Sequence, residues 1–135
     1  MNNDLYDFAE QLNIAIFSFP LPNSKSLALE DSDDNCYIGI DDERLESSKD
    51  ERVHIAHEIG HCVTGAFYNE YSPVDNRGKF EAIADRWAVK KLINKDDLKR
   101  QIKRGLEIWE LAEYFNVTED FIQKAFHLYF EVKMI

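Results

Sequence analysis

Residues 57–61 read His57-Glu58-Ile59-Gly60-His61, and no other stretch restricts the folding of this chain so tightly. Two histidines four positions apart leave one side of an α-helix about a turn apart, whereas in a strand they would lie about 13 Å apart. On a helix their ring nitrogens can meet one divalent cation at about 2.0–2.1 Å. Glu58, roughly 100° further round, falls beside such an ion instead of on it, where its carboxylate can take a proton from an attacking water. The motif therefore calls for a helix here and for a second element facing it to complete the coordination.

The flanking residues meet that demand. Ser48-Lys49-Asp50-Glu51 has the form of a capping box, with the Ser48 hydroxyl on the third backbone N–H and Glu51 reaching back. Val53, Ile55, Ala56, Ile59 and Val63 carry the helix to about Ala66. Residues 68–78, with Pro73, Asn76 and Gly78, read as a loop. A second helix is expected over residues 79–93, with Phe80, Ile83, Ala84, Trp87 and Leu92 as its apolar stripe. A third is capped by Asn94-Lys95-Asp96-Asp97 and ends near Gly105, and two more cover residues 107–115 and 118–130. Ahead of the motif, residues 4–12 place Leu5, Phe8, Ala9 and Leu12 on one helical face. Short strands follow at 14–19, closed by Pro20 and Pro22, and at 26–30 and 36–40 about the polar turn 31–35. The expectation is an α+β fold: a small N-terminal antiparallel sheet with one helix, then a mostly helical body. With 135 residues it should form a single domain, strand-rich over residues 1–42 and helical over 43–135.

A catalytic zinc site takes three protein ligands and keeps a position open. A continuation with Gly at 64 and His at 67 would supply a third histidine, but the chain has Thr64 and Phe67. Cys36 could act as an upstream thiolate, although its strand-like setting, Cys36-Tyr37-Ile38-Gly39-Ile40, suits a buried thiol better. His127, on the last helix among aromatics, reads as structural or exposed. Glu81 is the best third ligand, because it opens the helix after the motif and has Asp85 on the same face. Asp85 would then accept the second N–H of a ligand histidine and fix its tautomer. The competing explanation is an ordinary acidic helix start favoured by the macrodipole. Ala82, Ala84 and Ala88, with Gly60 and Gly65, are small enough to let the two helices approach closely. For stabilising the oxyanion of a tetrahedral intermediate, Tyr68, Tyr71 and His54 are all near in sequence and stand as equal candidates.

Charge narrows the partners. Twenty-six acidic against sixteen basic side chains leave a formal charge of −10, which repels phosphate backbones and anionic lipid surfaces. Residues 111–122 have a helix-turn-helix rhythm, but residues 118–135 lack the basic side chains of a recognition helix and read as core-covering helices. A basic or mixed-charge protein is the expected partner, with no direct nucleic acid and no membrane. Two cysteines, Cys36 and Cys62, make no disulfide framework, the N-terminus lacks a signal-like apolar stretch, and the expected location is the cytoplasm.

The run from Arg52 to His61, with Glu81-Ala82-Ile83-Ala84-Asp85-Arg86-Trp87-Ala88 and the preceding Ile38-Gly39-Ile40-Asp41, resembles the ImmA/IrrE family of zinc metallo-endopeptidases over about residues 35–95. The resemblance implies that His57, His61 and Glu81 hold Zn²⁺, that Glu58 is the general base, and that the substrate is a helix-turn-helix repressor. Cutting it would release phage, mobile-element or stress genes. The segment between His61 and Glu81 is particular to this chain, and regulation is expected to come from a partner or from expression level. Two alternatives use the same residues: a zinc-stabilised regulatory or toxin–antitoxin protein that binds without cutting, and another zinc hydrolase such as an amidase. Mn²⁺ or Fe²⁺ also suits two imidazoles and a carboxylate.

Overall fold

The computed structural model describes residues 2–68 and 72–130. Nine elements follow in order: α1 (Asn3–Gln11), β1 (Ala15–Ser18), β2 (Ser26–Glu30), β3 (Cys36–Ile40), α2 (Ser48–Thr64), α3 (Val74–Leu92), α4 (Lys95–Lys103), α5 (Ile108–Phe115) and α6 (Glu119–Tyr129). The arrangement is α+β, with a three-stranded sheet and one helix leading into a helical body.

The sheet order is β1-β3-β2. The β2–β3 pair is antiparallel, as expected, and closes through a turn in which Asp31 Oδ1 accepts the N–H groups of Asp33 and Asn35. β1, however, runs parallel to β3, which corrects the expectation of a wholly antiparallel sheet. Pro20 and Pro22, which lack a ladder N–H, keep the chain between β1 and β2 from closing a hairpin. The connector instead spans the place that β3 fills, and Asp41, just past β3, ties it down. The Asp41 carboxylate accepts the Leu21 N–H at 2.9 Å, and its own N–H donates to the Lys25 carbonyl. β2 is left as an edge strand.

Ile38 and Ile40 on the central strand face Leu5 and Ala9 of α1 and Ile55, Ala56 and Ile59 of α2, all buried. The far side of that core is closed by Val89 and Ile93 and by the inner faces of α5 and α6: Leu111, Phe115, Phe121, Ile122 and Ala125. The helix-turn-helix rhythm of residues 111–122 is thus largely spent on burial. No helix among the described residues is long and apolar enough to cross a membrane.

Local signals hold with shifts of a residue or a turn. α2 is capped by Ser47, whose Oγ accepts the Asp50 N–H, not by Ser48. Glu51 does not reach back; it accepts the Tyr6 hydroxyl at 3.0 Å, a tertiary partner that the capping box could not anticipate. Gly65 is the left-handed C-cap of α2, with φ 70° and open space where a Cβ would sit. Its part is to end the helix, not to admit α3 as expected. α3 begins at Val74, so the expected loop 68–78 is shorter, although residues 69–71 lie outside the described part. Gly78 is tolerated near a helix start, at a cost of about 1 kcal/mol against alanine in mid-helix. Asn94 caps α4 as read, accepting the Asp97 N–H at 2.9 Å.

The expectation of a buried Cys36 thiol is overturned by a disulfide to Cys62, with a Cα–Cα distance of 5.9 Å. β3 lies against α2, and partners 26 positions apart meet only once the sheet is docked. In a reducing cytoplasm such a pair would stand open.

The closest packing is at Gly60. A Cβ there would lie 2.8 Å from the Ala84 carbonyl oxygen and 3.2 Å from its Cα. Gly60→Ala should lower the unfolding free energy by about 1–3 kcal/mol, because the clash with backbone outweighs the alanine's helical advantage of about 1 kcal/mol. Urea denaturation of the two proteins measures it, and an unchanged midpoint would contradict this packing.

Candidate metal centre

Two adjacent rows of side chains leave α2. His57 and His61 form one and face α3; Asp50, His54 and Glu58, also at four-residue steps, form the other and face β2. The approach of α3 at Gly60 brings Glu81 over the histidine row. Its Oε2 lies 2.8 Å from His57 Nε2 and its Oε1 3.0 Å from His61 Nε2, and the two Nε2 atoms are 3.2 Å apart. Donor atoms of the three residues all lie within 4.8 Å of one another.

The opposite nitrogens settle what the cluster suits. His57 Nδ1 donates to Asp85 Oδ1 at 2.7 Å, and His61 Nδ1 donates to the carbonyl of Ala66. With both rings protonated at Nδ1, two Nε2 lone pairs and a carboxylate would converge with nothing positive between them. Their spacings are close to the roughly 3.3 Å edges of a tetrahedron with zinc bonds of about 2.0–2.1 Å. The residues fit a divalent cation, and the expectations that Glu81 faces the histidines and that Asp85 supports His57 agree with the geometry.

Burial would lower the His57 pKa, but Asp85 and Glu81 hold it up at about 10. His61 is also raised, its burial offset first by Glu81 and then by the Ala66 carbonyl. Glu81, bonded to His57 and His61, is held far below the carboxylate range. Asp85 is lowered despite burial, by His57 and by Lys124 of α6, whose Nζ is 3.3 Å away.

Glu58 is different. It is 6% exposed, touches neither ligand nitrogen, and accepts the Ser26 hydroxyl at 2.6 Å. Burial raises its pKa against the pull of Ser26, the direction that makes a carboxylate a better base. It lies on a cleft of about 690 Å³ whose walls include Ser26 and Leu27 of β2, Phe67 and Tyr68 after α2, and Phe121 and Lys124 of α6.

The remaining candidates separate clearly. Cys36 is disulfide-bonded and His127 is exposed on α6, away from the cleft. His54 and Tyr68 both line the cleft, and Tyr68 bonds Glu81; Tyr71 lies outside the described residues. Ser26, Lys124 and the Ala66 carbonyl were not legible beforehand. The one available signal was a polar residue at an inward-facing strand position.

The helix pair thus presents two histidines and a glutamate able to hold a metal, with a buried carboxylate beside them on one cleft. The model of the IrrE N-terminal-like domain, a peptidase family, matches residues 9–127, and the chain belongs to that family. No curated protein and no solved structure matches it.

Proton bookkeeping at His57 has a measurable consequence. A ligand nitrogen must be free of its proton before it binds metal, and His57 keeps one up to about pH 10. Zn²⁺ binding at pH 7 should release at least about one proton, and affinity should rise about tenfold per pH unit for each proton displaced. Calorimetry in buffers of different ionisation enthalpy reads the release, and none would contradict the histidine assignment.

Proposed function

We propose that this protein is a zinc-dependent endopeptidase that cuts a helix-turn-helix transcriptional repressor in the cytoplasm and so derepresses phage, mobile-element or stress genes. The observation that carries the peptidase reading is the buried carboxylate of Glu58 beside the His57, His61 and Glu81 cluster, on an open cleft. A cleft built only to hold a structural ion has no use for a further carboxylate, bonded to neither histidine, at the cost of its burial.

When bound, zinc supplies Lewis acidity toward a peptide carbonyl and makes water a better nucleophile. Glu58 takes the proton of the attacking water and passes it to the leaving amine. Asp85 keeps His57, and the Ala66 carbonyl keeps His61, in the tautomer that presents Nε2 to the centre. Among the described residues Tyr68 lines the same cleft and is the candidate donor for a developing oxyanion, since both ring nitrogens of His54 face other partners, Ser26 and Asp50. β2 is an edge strand on the cleft, so an extended substrate segment can pair along it and be held by main-chain hydrogen bonds. An acidic protein suits a basic or mixed-charge substrate. The family likeness supports the repressor as substrate, and the charge supports a reading without nucleic-acid or membrane partners.

The test joins metal content to cleavage. Plasma mass spectrometry of the purified chain should find about one zinc, lost in Glu81→Ala and kept in Glu58→Gln. Glu58→Gln should lower cleavage of a co-expressed repressor by a factor of about 10² or more. Zinc retained together with an undiminished biological effect of Glu58→Gln would instead establish a binding protein that regulates without cutting.

A further inference from the structure

The sheet has a second face. Ile38 and Ile40 turn toward α1 and α2, so Tyr37 and Gly39, at the alternate positions of β3, turn the other way. The register places Phe17 and Leu27 on either side of Gly39, and Ala15 and Leu29 on either side of Tyr37. Directly paired residues share a face, so this outer surface is apolar apart from the Tyr37 hydroxyl. Phe17 and Leu27 meet over Gly39, where a Cβ would lie 3.5 Å from Phe17 Cζ and 3.6 Å from Leu27 Cδ1. Phe19 continues the row, its ring edge-on to Phe17 with centroids 6.2 Å apart. A sheet packed on one side ordinarily gives its other side to polar residues. Here Phe17, Phe19 and Leu29 are 38%, 56% and 49% exposed, and a contiguous apolar patch of this kind marks an interaction site.

Charge and position say what covers it. The rim is acidic at both ends, with Asp31, Asp33 and Asp34 on the turn between β2 and β3, and Asp42 and Glu43 after β3. Tyr37 donates its hydroxyl to Asp31 at 2.9 Å, and Ser18 donates to Asp42. Lys25 and Arg44 are the only bases in residues 1–44, and both are held by aspartates, Asp50 and Asp41. A second copy would set one acidic rim against another, and anionic lipid would be repelled, whereas a basic surround is complementary. Leu27 belongs both to this face and to the wall of the cleft, so the patch adjoins the cleft across β2. We propose that the outer face of the sheet docks the body of the protein substrate, taking an apolar patch framed by lysine and arginine while the scissile segment lies in the cleft. This rests on the reading of the cleft as a peptidase site and deepens it, because substrate selection then depends on a surface outside the cleft.

A synthetic amphipathic helix of leucine and lysine serves as the probe, titrated into the ¹⁵N-labelled, zinc-loaded full chain. It should shift the amide signals of Phe17, Phe19, Tyr37 and Gly39, with affinity falling as salt rises, while a leucine–glutamate helix should not bind. Phe17→Ser/Phe19→Ser should weaken the leucine–lysine helix about tenfold or more at unchanged zinc content. Asp33→Lys/Glu43→Lys, which keeps the apolar patch, should also weaken it. Equal binding of the two helices, or shifts confined to other faces, would overturn the proposal. So would a wild-type dimer in analytical sedimentation that Phe17→Ser/Phe19→Ser dissolves. Against the cleaved repressor, Phe17→Ser/Phe19→Ser should raise KM about tenfold or more at unchanged kcat, and leave cleavage of a short peptide spanning the scissile bond unchanged. Equal loss on protein and peptide, or loss on neither, would refute the docking role. Complex formation by Glu58→Gln reads docking without cutting, so failure of the peptidase reading would show separately, as an undiminished biological effect of that variant.

Discussion

The contact between α2 and α3 at Gly60 governs most of what this molecule can do. Glycine at 60 lets the Ala84 backbone come to a distance that no side chain would permit. At that separation a glutamate one helical turn before Ala84 reaches two histidines on the facing helix, and an aspartate beside Ala84 reaches the back of one ring. A helix pair spaced a couple of ångströms wider would leave Glu81 in solvent and His57 Nδ1 without Asp85. The sheet, α1 and α6 hold this pair at its spacing, with Ile55, Ile59, Val89 and Ile93 as the apolar contacts around it.

Electrostatics then divides the cleft in two. On the α3 side, Glu81 and Asp85 are held ionised by the histidines they bind, so the centre suits a cation. On the β2 side the Glu58 carboxylate is buried and its charge is opposed by that burial, with the Ser26 hydroxyl as its side-chain donor among the described residues. Glu81 and Glu58 have the same side chain, and environment alone sets them apart. Glu81 stands among imidazoles with about 41% of its side chain open to solvent, whereas Glu58 is nearly enclosed. Lys124, reaching in from α6, shares Asp85 with His57 and ties the last helix to the centre.

Much of this was legible in the chain, and the misses share a cause. The histidine spacing, the apolar stripe of α3, the Asn94 cap and the Gly60–Ala84 contact are local patterns that appear where the residues imply, whereas Ala82 is exposed and takes no part in the helix contact. Glu81 and Asp85 could be picked out because a helix places positions four apart on one face. The parallel pairing of β1, the Cys36–Cys62 bond, the Ser47 cap in place of Ser48 and the Glu51–Tyr6 contact all depend on which segments meet, about which local periodicity says nothing. Gly65 and Gly60 show the limit well. Both are glycines in or beside the same helix, yet one supplies a left-handed φ and the other a missing Cβ.

By itself, then, the sequence determined the chemistry on offer: two imidazoles in helical register with a carboxylate next to the first, two acids four positions apart on the following helix, and helix ends written in serine, asparagine and glycine. These follow from bond geometry and helical periodicity, which act over a few residues. The tertiary structure alone decided which acid stays buried and free, what orients each imidazole, and which strand edge lies open on the cleft. Those outcomes come from desolvation and from contacts between distant segments, and they exist only once β2, α2, α3 and α6 have packed around a common core.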